Sequence, residues 1–135
     1  MKVDGQCHCG AIRYEAEVDP DTIGICHCTD CQTLTGSAFR ANVPARAEHF
    51  RLLQGSPRRY VKTADSGKQR VHAFCENCGS PVYSCAVSDP ATYSLRVGGL
   101  NQRHELGNPA RQIWTSRRLT WCCDLASVPE TDGQP

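Results

Sequence analysis

Cys26-His27-Cys28-Thr29-Asp30-Cys31 places three thiols within six residues, a spacing with which thiolates wrap a metal ion. It leaves a tetrahedral ion one ligand short, and a catalytic zinc keeps such a position for water or substrate, whereas a structural zinc takes four protein ligands. Cys7 and Cys9, in C-x-C, and Cys75 and Cys78, in C-x-x-C, make a second set that closes a four-thiolate shell. Metal binding to a closed shell is folding free energy. The closed set is therefore expected to be structural, and Cys26, Cys28 and Cys31 to be where chemistry occurs.

Three thiolates on Zn²⁺ leave a single net negative charge and an open position. A small thiol from solution can fill it; glutathione is the abundant candidate, and zinc converts a bound thiol to a thiolate. A thiolate held in place is a nucleophile for a carbonyl carbon. Cys85, Cys122, Cys123, His27 and His72 are the residues that could close the shell from a distance. Cys85 lies in an expected strand, where free cysteines pack as small apolar groups, and Cys122-Cys123 has no free pair upstream. His8 and His27 each stand between two cysteines and are expected to point away from the metal, with His27 placed to assist proton transfer. His49, His72 and His104 receive no role.

The chain has 135 residues and ten cysteines, with fifteen basic against fourteen acidic residues. That balance argues against a nucleic-acid binder. No apolar run is long enough to span a membrane and no hydrophobic signal region precedes the first cysteine motif, so a cytoplasmic location is expected, with metal binding in place of disulfides. One domain over residues 1–128 and a polar, disordered tail over 129–135 are expected.

The elements that must position these cysteines read as short strands. Ile12, Tyr14, Ala16 and Val18 alternate with charged residues, a period of two. Further strands are expected over Ala38–Val43, stopped by Pro44; over His49–Gln54; over Arg58–Ala64 and Lys68–Phe74 as a hairpin about Asp65-Ser66-Gly67; and over Pro81–Ala86 and Thr92–Val97. Residues 32–37 read as a polar connector, 98–109 as loop, and Gln112-Ile113-Trp114 with Leu119-Thr120-Trp121 as a final strand pair. With no convincing helix, the fold class is all-β.

Gly5-x-Cys7-x-Cys9-Gly10 with Tyr14-Glu15, Cys26-His27-Cys28-x-x-Cys31-Gln32, Gly36-Ser37-Ala38-Phe39, Phe74-Cys75-x-x-Cys78-Gly79-Ser80-Pro81-Val82-Tyr83 and the late Trp121 resemble the glutathione-dependent formaldehyde-activating family, also known through centromere protein V. The resemblance runs from Gly5 to about Trp121. It implies twisted antiparallel sheets of the β-tent kind stapled by zinc, a structural zinc at Cys7, Cys9, Cys75 and Cys78, and a catalytic zinc at Cys26, Cys28 and Cys31, two ions per chain. It also implies a carbon–sulfur lyase activity: condensation of glutathione with formaldehyde to S-hydroxymethylglutathione, or a related thiol and aldehyde reaction.

Glutathione carries two carboxylates, which arginine recognises with its two-pronged fork. Arg40 is the expected partner, with Arg58, Arg59, Arg70 and Arg96 on adjoining strands; Gly36 and Ser37 are candidates for backbone contact to substrate, though turn geometry would account for them equally well. The rival expectation is a zinc-stabilised protein-binding module without catalysis, in which the second metal shell is closed.

Overall fold

A computed structural model describes residues 1–134; Pro135, the end of the expected tail, lies outside the described residues. The elements in chain order are β1 (Lys2–Gln6), β2 (Arg13–Glu17), β3 (Gly24–Cys26), α1 (Thr29–Thr35), β4 (Arg40–Arg46), β5 (Phe50–Gln54), β6 (Arg58–Thr63), β7 (Gln69–Phe74), β8 (Pro81–Ala86), β9 (Thr92–Arg96) and β10 (Arg111–Ile113). They form a three-stranded sheet, β1-β2-β5, and a seven-stranded sheet, β10-β3-β4-β9-β8-β7-β6. Every pairing is antiparallel except that of β10 with β3, which makes the larger sheet mixed. The all-β expectation holds.

The core lies where the two sheets meet. On β2 the period-two pattern buries Tyr14 and Ala16 and turns Arg13 and Glu17 outward. Phe50 of β5 stacks on Tyr93 of β9 with ring centroids 4.3 Å apart, and Tyr83 of β8 meets Tyr93 edge-on at 5.0 Å. Tyr14 is 5.9 Å from Phe50, so aromatic contacts lock sheet to sheet. Gly5 of β1 sits opposite Tyr14, and a Cβ there would lie 2.4 Å from the tyrosine ring and 2.7 Å from the Gly99 carbonyl. The glycine is required by that close approach.

Residues opposite one another in paired strands share a face. Val43, Ala45, Val71, Ala73, Cys85 and Leu95 put one face of the large sheet on the core. The other face carries Arg40 and Asn42 of β4, Arg96 of β9, Ser84 of β8, His72 of β7 and Lys62 of β6. Alternation alone would give that face to solvent, yet Arg40, Ser84 and Arg96 are buried.

Three local expectations are corrected. Residues 29–35 form a helix, not a connector: Cys28 takes the N-cap with its sulfur accepting from the Cys31 N–H, and Gly36 closes the far end at φ 63°. β4 runs through Pro44 to Arg46, because β3 pairs only as far as Asn42 and β4 has a neighbour on one side alone beyond it. Leu119-Thr120-Trp121 is not a strand: Thr120–Cys123 is a turn of 3₁₀-helix, and β10 pairs with β3 instead. The 98–109 loop is anchored to β1, with Gln102 Nε2 donating to Asp4 Oδ1 at 2.6 Å and the Asn101 N–H to the Asp4 carbonyl at 2.9 Å.

Candidate metal centre

The four-cysteine cluster joins two knuckles that are far apart in the chain. Cys7 and Cys9 follow β1, and the Ile12 N–H donates to Cys7 Sγ at 3.2 Å. Cys75 and Cys78 follow β7, in a turn closed by the Gly79 N–H on the Cys75 carbonyl at 2.8 Å. Gly79 holds φ 79°, where a Cβ would be strained. The His8 N–H on Ser80 Oγ, 3.0 Å away, ties one knuckle to the other. Ser80 and the backbone near it bring the Cys78 thiol down to about 5. Four sulfurs bound tetrahedrally at about 2.3 Å from one ion stand roughly 3.8 Å apart. Cys7 and Cys9 sulfurs are 3.6 Å apart and those of Cys9 and Cys75 are 3.8 Å apart, so the donors suit such an ion.

The three-cysteine cluster is built on a single strand-to-helix corner. Cys26 ends β3, Cys28 caps α1 and Cys31 lies in its first turn, with the three sulfurs within 4.8 Å of one another. The cap is a bond from the Cys31 N–H to Cys28 Sγ at 3.3 Å, a position more often held by Ser or Asp. Among the described residues no fourth Cys, His, Asp or Glu ligand atom lies within that distance of all three. Cys85 packs in the core, and the His27 ring bonds Gln112 Oε1 through Nε2 at 2.8 Å with Phe39 against it. Both clusters can therefore hold a metal ion, the first as a closed shell and the second with a place left over.

Cations surround the second cluster. Arg40 stands opposite Cys26 across the β3–β4 pairing, is 4% exposed, and donates from Nε to Cys31 Sγ at 3.3 Å. Lys62 Nζ lies 2.9 Å from Asp30 Oδ2 of α1. Burial draws the Lys62 ammonium down, but Asp30 and the Cys28 and Cys31 sulfurs outweigh that and raise it. Burial pushes the Cys26 thiol up to about 12. The same effect on Cys28 is offset by hydrogen bonds from the Cys31 backbone and the neighbouring thiols and by Lys62, so its thiol falls below the ordinary range.

Of the expected substrate residues, Arg40 is beside the sulfurs, while Gly36 and Ser37 lie at the end of α1, where the helix cap accounts for their geometry. Sequence reasoning weighed His72 only as a distant metal ligand, placed Gln112 only in a strand, and passed over Lys62. His72 Nδ1 faces Arg40 Nη1 at 3.3 Å and Arg96 Nη2 at 3.1 Å, so it accepts, and the ring proton sits on Nε2. Burial and then the two arginines push its pKa down to about 3. Gln112 bonds His27, and the Gln32 side-chain amide bridges the His27 and Arg117 carbonyls at 3.0 Å each, fastening the C-terminal segment to the cysteine corner. A lone histidine and a lone glutamine carry no signal in one sequence; only the strand pairing brings them here.

An all-β chain with one four-sulfur and one three-sulfur cluster thus carries two donor sets that could hold metal ions. The chain belongs to the family of the glutathione-dependent formaldehyde-activating enzyme, whose family model matches residues 2–117. It is similar to an uncharacterised lyase of Schizosaccharomyces pombe, 24% identical over 98 residues that make up 70% of this chain and 65% of that protein, so it spans about two thirds of that relative's length. It is also similar in fold to a Rhodobacter sphaeroides protein of known crystal structure, with a TM-score of 0.62 and 24% identity over 81% of this chain and 98% of that one.

Proposed function

We propose that the chain is a zinc-dependent lyase-type enzyme of carbon–sulfur chemistry, condensing glutathione with formaldehyde or a closely related aldehyde in a thiol-rich compartment such as the cytoplasm. The observation that carries this reading is the contrast between the clusters: four sulfurs in one, and three in the other with no fourth ligand atom beside them among the described residues. The family match and the lyase among the relatives support the reaction class. All-sulfur donors in tetrahedral spacing suit zinc, which accepts four thiolates as a structural ion and keeps a position free when catalytic.

Zinc at Cys26, Cys28 and Cys31 would supply acidity to a thiol and a fixed place for its sulfur. Arg40, donating to Cys31 Sγ, orients that ligand and offsets the excess negative charge of three thiolates. Lys62, paired with Asp30 and close enough for the Cys28 and Cys31 sulfurs to raise its pKa, adds a second positive charge for the aldehyde oxygen as it gains electrons. The bookkeeping is that of an addition: the sulfur–carbon bond forms, the carbonyl π pair moves to oxygen, and that oxygen ends with the proton the thiol gave up.

The test is calorimetric titration of glutathione, with S-methylglutathione as control, into protein holding two zinc ions per chain. Heat from glutathione alone is the expected outcome. No heat from either would reject the open thiol site and put a closed, zinc-stabilised binding module in its place.

A further inference from the structure

We propose that Arg40 and Arg96, spaced by His72 between them, form a carboxylate clamp beside the three-cysteine centre. As a substrate site it rests on the thiol chemistry above; as an anion site it does not. Arg40 is 4% and Arg96 5% exposed, and no Asp or Glu pairs with either among the described residues. Their shared acceptor is one lone pair of a neutral imidazole, His72 Nδ1. Arg96 also donates to Asn42 Oδ1, and Arg40 to Cys31 Sγ. Arg40 Nη2 and Arg96 Nε are buried with no partner at all. Zinc held by the three thiolates would make a centre of one net negative charge, which would balance the arginine that touches it. Arg96 is left without a counter-charge, and burial followed by repulsion from Arg40 brings its pKa down to about 9.

Burying an unpaired guanidinium costs stability, and an apolar residue of similar size would be neutral or better. Two such residues side by side therefore mark a site that an anion completes. The approach is present. A cleft of about 460 Å³ reaches Arg40, His72 and Arg96, with Arg58 and Arg59 at its lining, and no acidic residue lines it. A second cleft of about 590 Å³ reaches Arg40 and Arg96 beside Arg103, again with no acidic lining residue. The planar fork of each arginine suits a carboxylate, and Arg40 places it within reach of whatever binds at Cys31. The carboxylate can belong to the thiol or to the aldehyde partner, and the two sources are separable.

The experiment uses the zinc-loaded full chain, with Arg96→Met and Arg96→Lys beside it. Calorimetry compares glutathione with its diethyl ester, turnover compares glyoxylate with formaldehyde, and thermal unfolding is followed with and without malonate. A clamp for the thiol predicts that glutathione binds on the order of tenfold to a hundredfold tighter than the diester, and that Arg96→Met erases the difference while its unfolding midpoint stays the same or rises. A clamp for the aldehyde predicts the same Arg96-dependent preference for glyoxylate. If glutathione binds but neither acid is preferred, or the preference survives in Arg96→Met, the clamp is wrong and the thiol site stands. If no thiol binds yet malonate raises the midpoint in an Arg96-dependent way, the clamp stands and the proposed reaction falls. Should Arg96→Met not fold, Arg96→Lys, which keeps the charge and loses the fork, decides the matter together with the ester comparison on the unaltered chain.

Discussion

Removing Cys75 and Cys78 together should unfold the chain under conditions in which removing Cys31 does not. The sulfurs of Cys9 and Cys75 meet across 66 residues of sequence, so a metal there closes a long loop. By the chain-entropy account of crosslinks, a loop of that size is worth about 4 kcal/mol. Cys26, Cys28 and Cys31 sit on one corner, and a loop of so few residues is worth about 2 kcal/mol on the same scale. Against a total stability of roughly 5–15 kcal/mol for a domain of ordinary size, the first loss is severe and the second tolerable. The assay is urea unfolding of Cys75→Ser/Cys78→Ser and of Cys31→Ala, followed by far-ultraviolet circular dichroism with zinc counted per chain. Tryptophan emission would report poorly, since Trp114 and Trp121 are 51% and 56% exposed. The double variant should lose about 4 kcal/mol of its unfolding free energy, about twice the loss in Cys31→Ala, which should fold with one zinc and no thiol binding. Equal losses in the two variants would refute the division into a structural and an open centre.

Gly5→Ala should cost about 3 kcal/mol or more, because its Cβ would lie 2.4 Å from the Tyr14 ring with the Gly99 carbonyl on its other side; a melting curve within a degree of wild type would contradict the close approach. His72 should make the chain less stable in mild acid. Its pKa is about 3 when folded and near 6.5 when unfolded, so between those values the unfolded state binds a proton that the folded state refuses, and stability falls with falling pH. The slope is at most about 1.4 kcal/mol per pH unit and less in practice, since the ring is only half-buried. Arg40 of β4, Arg96 of β9, Lys62 of β6 and Arg70 of β7 all oppose that proton. Unfolding midpoints between pH 6.5 and 5 should therefore be flatter in His72→Gln, and equal slopes would show that the histidine is not the titrating group.

The cysteine sets were legible because ligand spacing is local: C-x-C and C-x-x-C carry their geometry in two or three residues. The β6–β7 hairpin and β8 were legible for a similar reason, with turn residues and alternation agreeing. α1 was not, since its seven residues hold no apolar stripe and its N-cap is a cysteine already explained as a ligand. β10 was assigned the wrong partner because a parallel pairing with β3 is set by tertiary contacts and leaves no turn signal between the strands.

Arg40, His72 and Arg96 show a deeper limit. Polar residues alternating with Val43, Val71 and Leu95 read as one strand face, and the sequence places Arg96 no more closely than on a strand adjoining Arg40. Alternation does tell which face a residue is on, and here it assigns all three correctly to the face away from the core. What it cannot tell is whether that face is covered. The cysteine corner and α1 lie over it: Arg40 meets Cys31, and Lys62 of the same face meets Asp30 of α1. A one-residue slip of β4 would carry Arg40 and Asn42 to the core face and bring Val43 out, at the cost of every apolar contact Val43 makes. The buried side of β4 thus fixes the register of the polar side. Core packing sets where Arg40 stands relative to Cys26 and where Asn42 meets Arg96, so the placement of the thiol centre and of the arginines beside it follows from the same pairing.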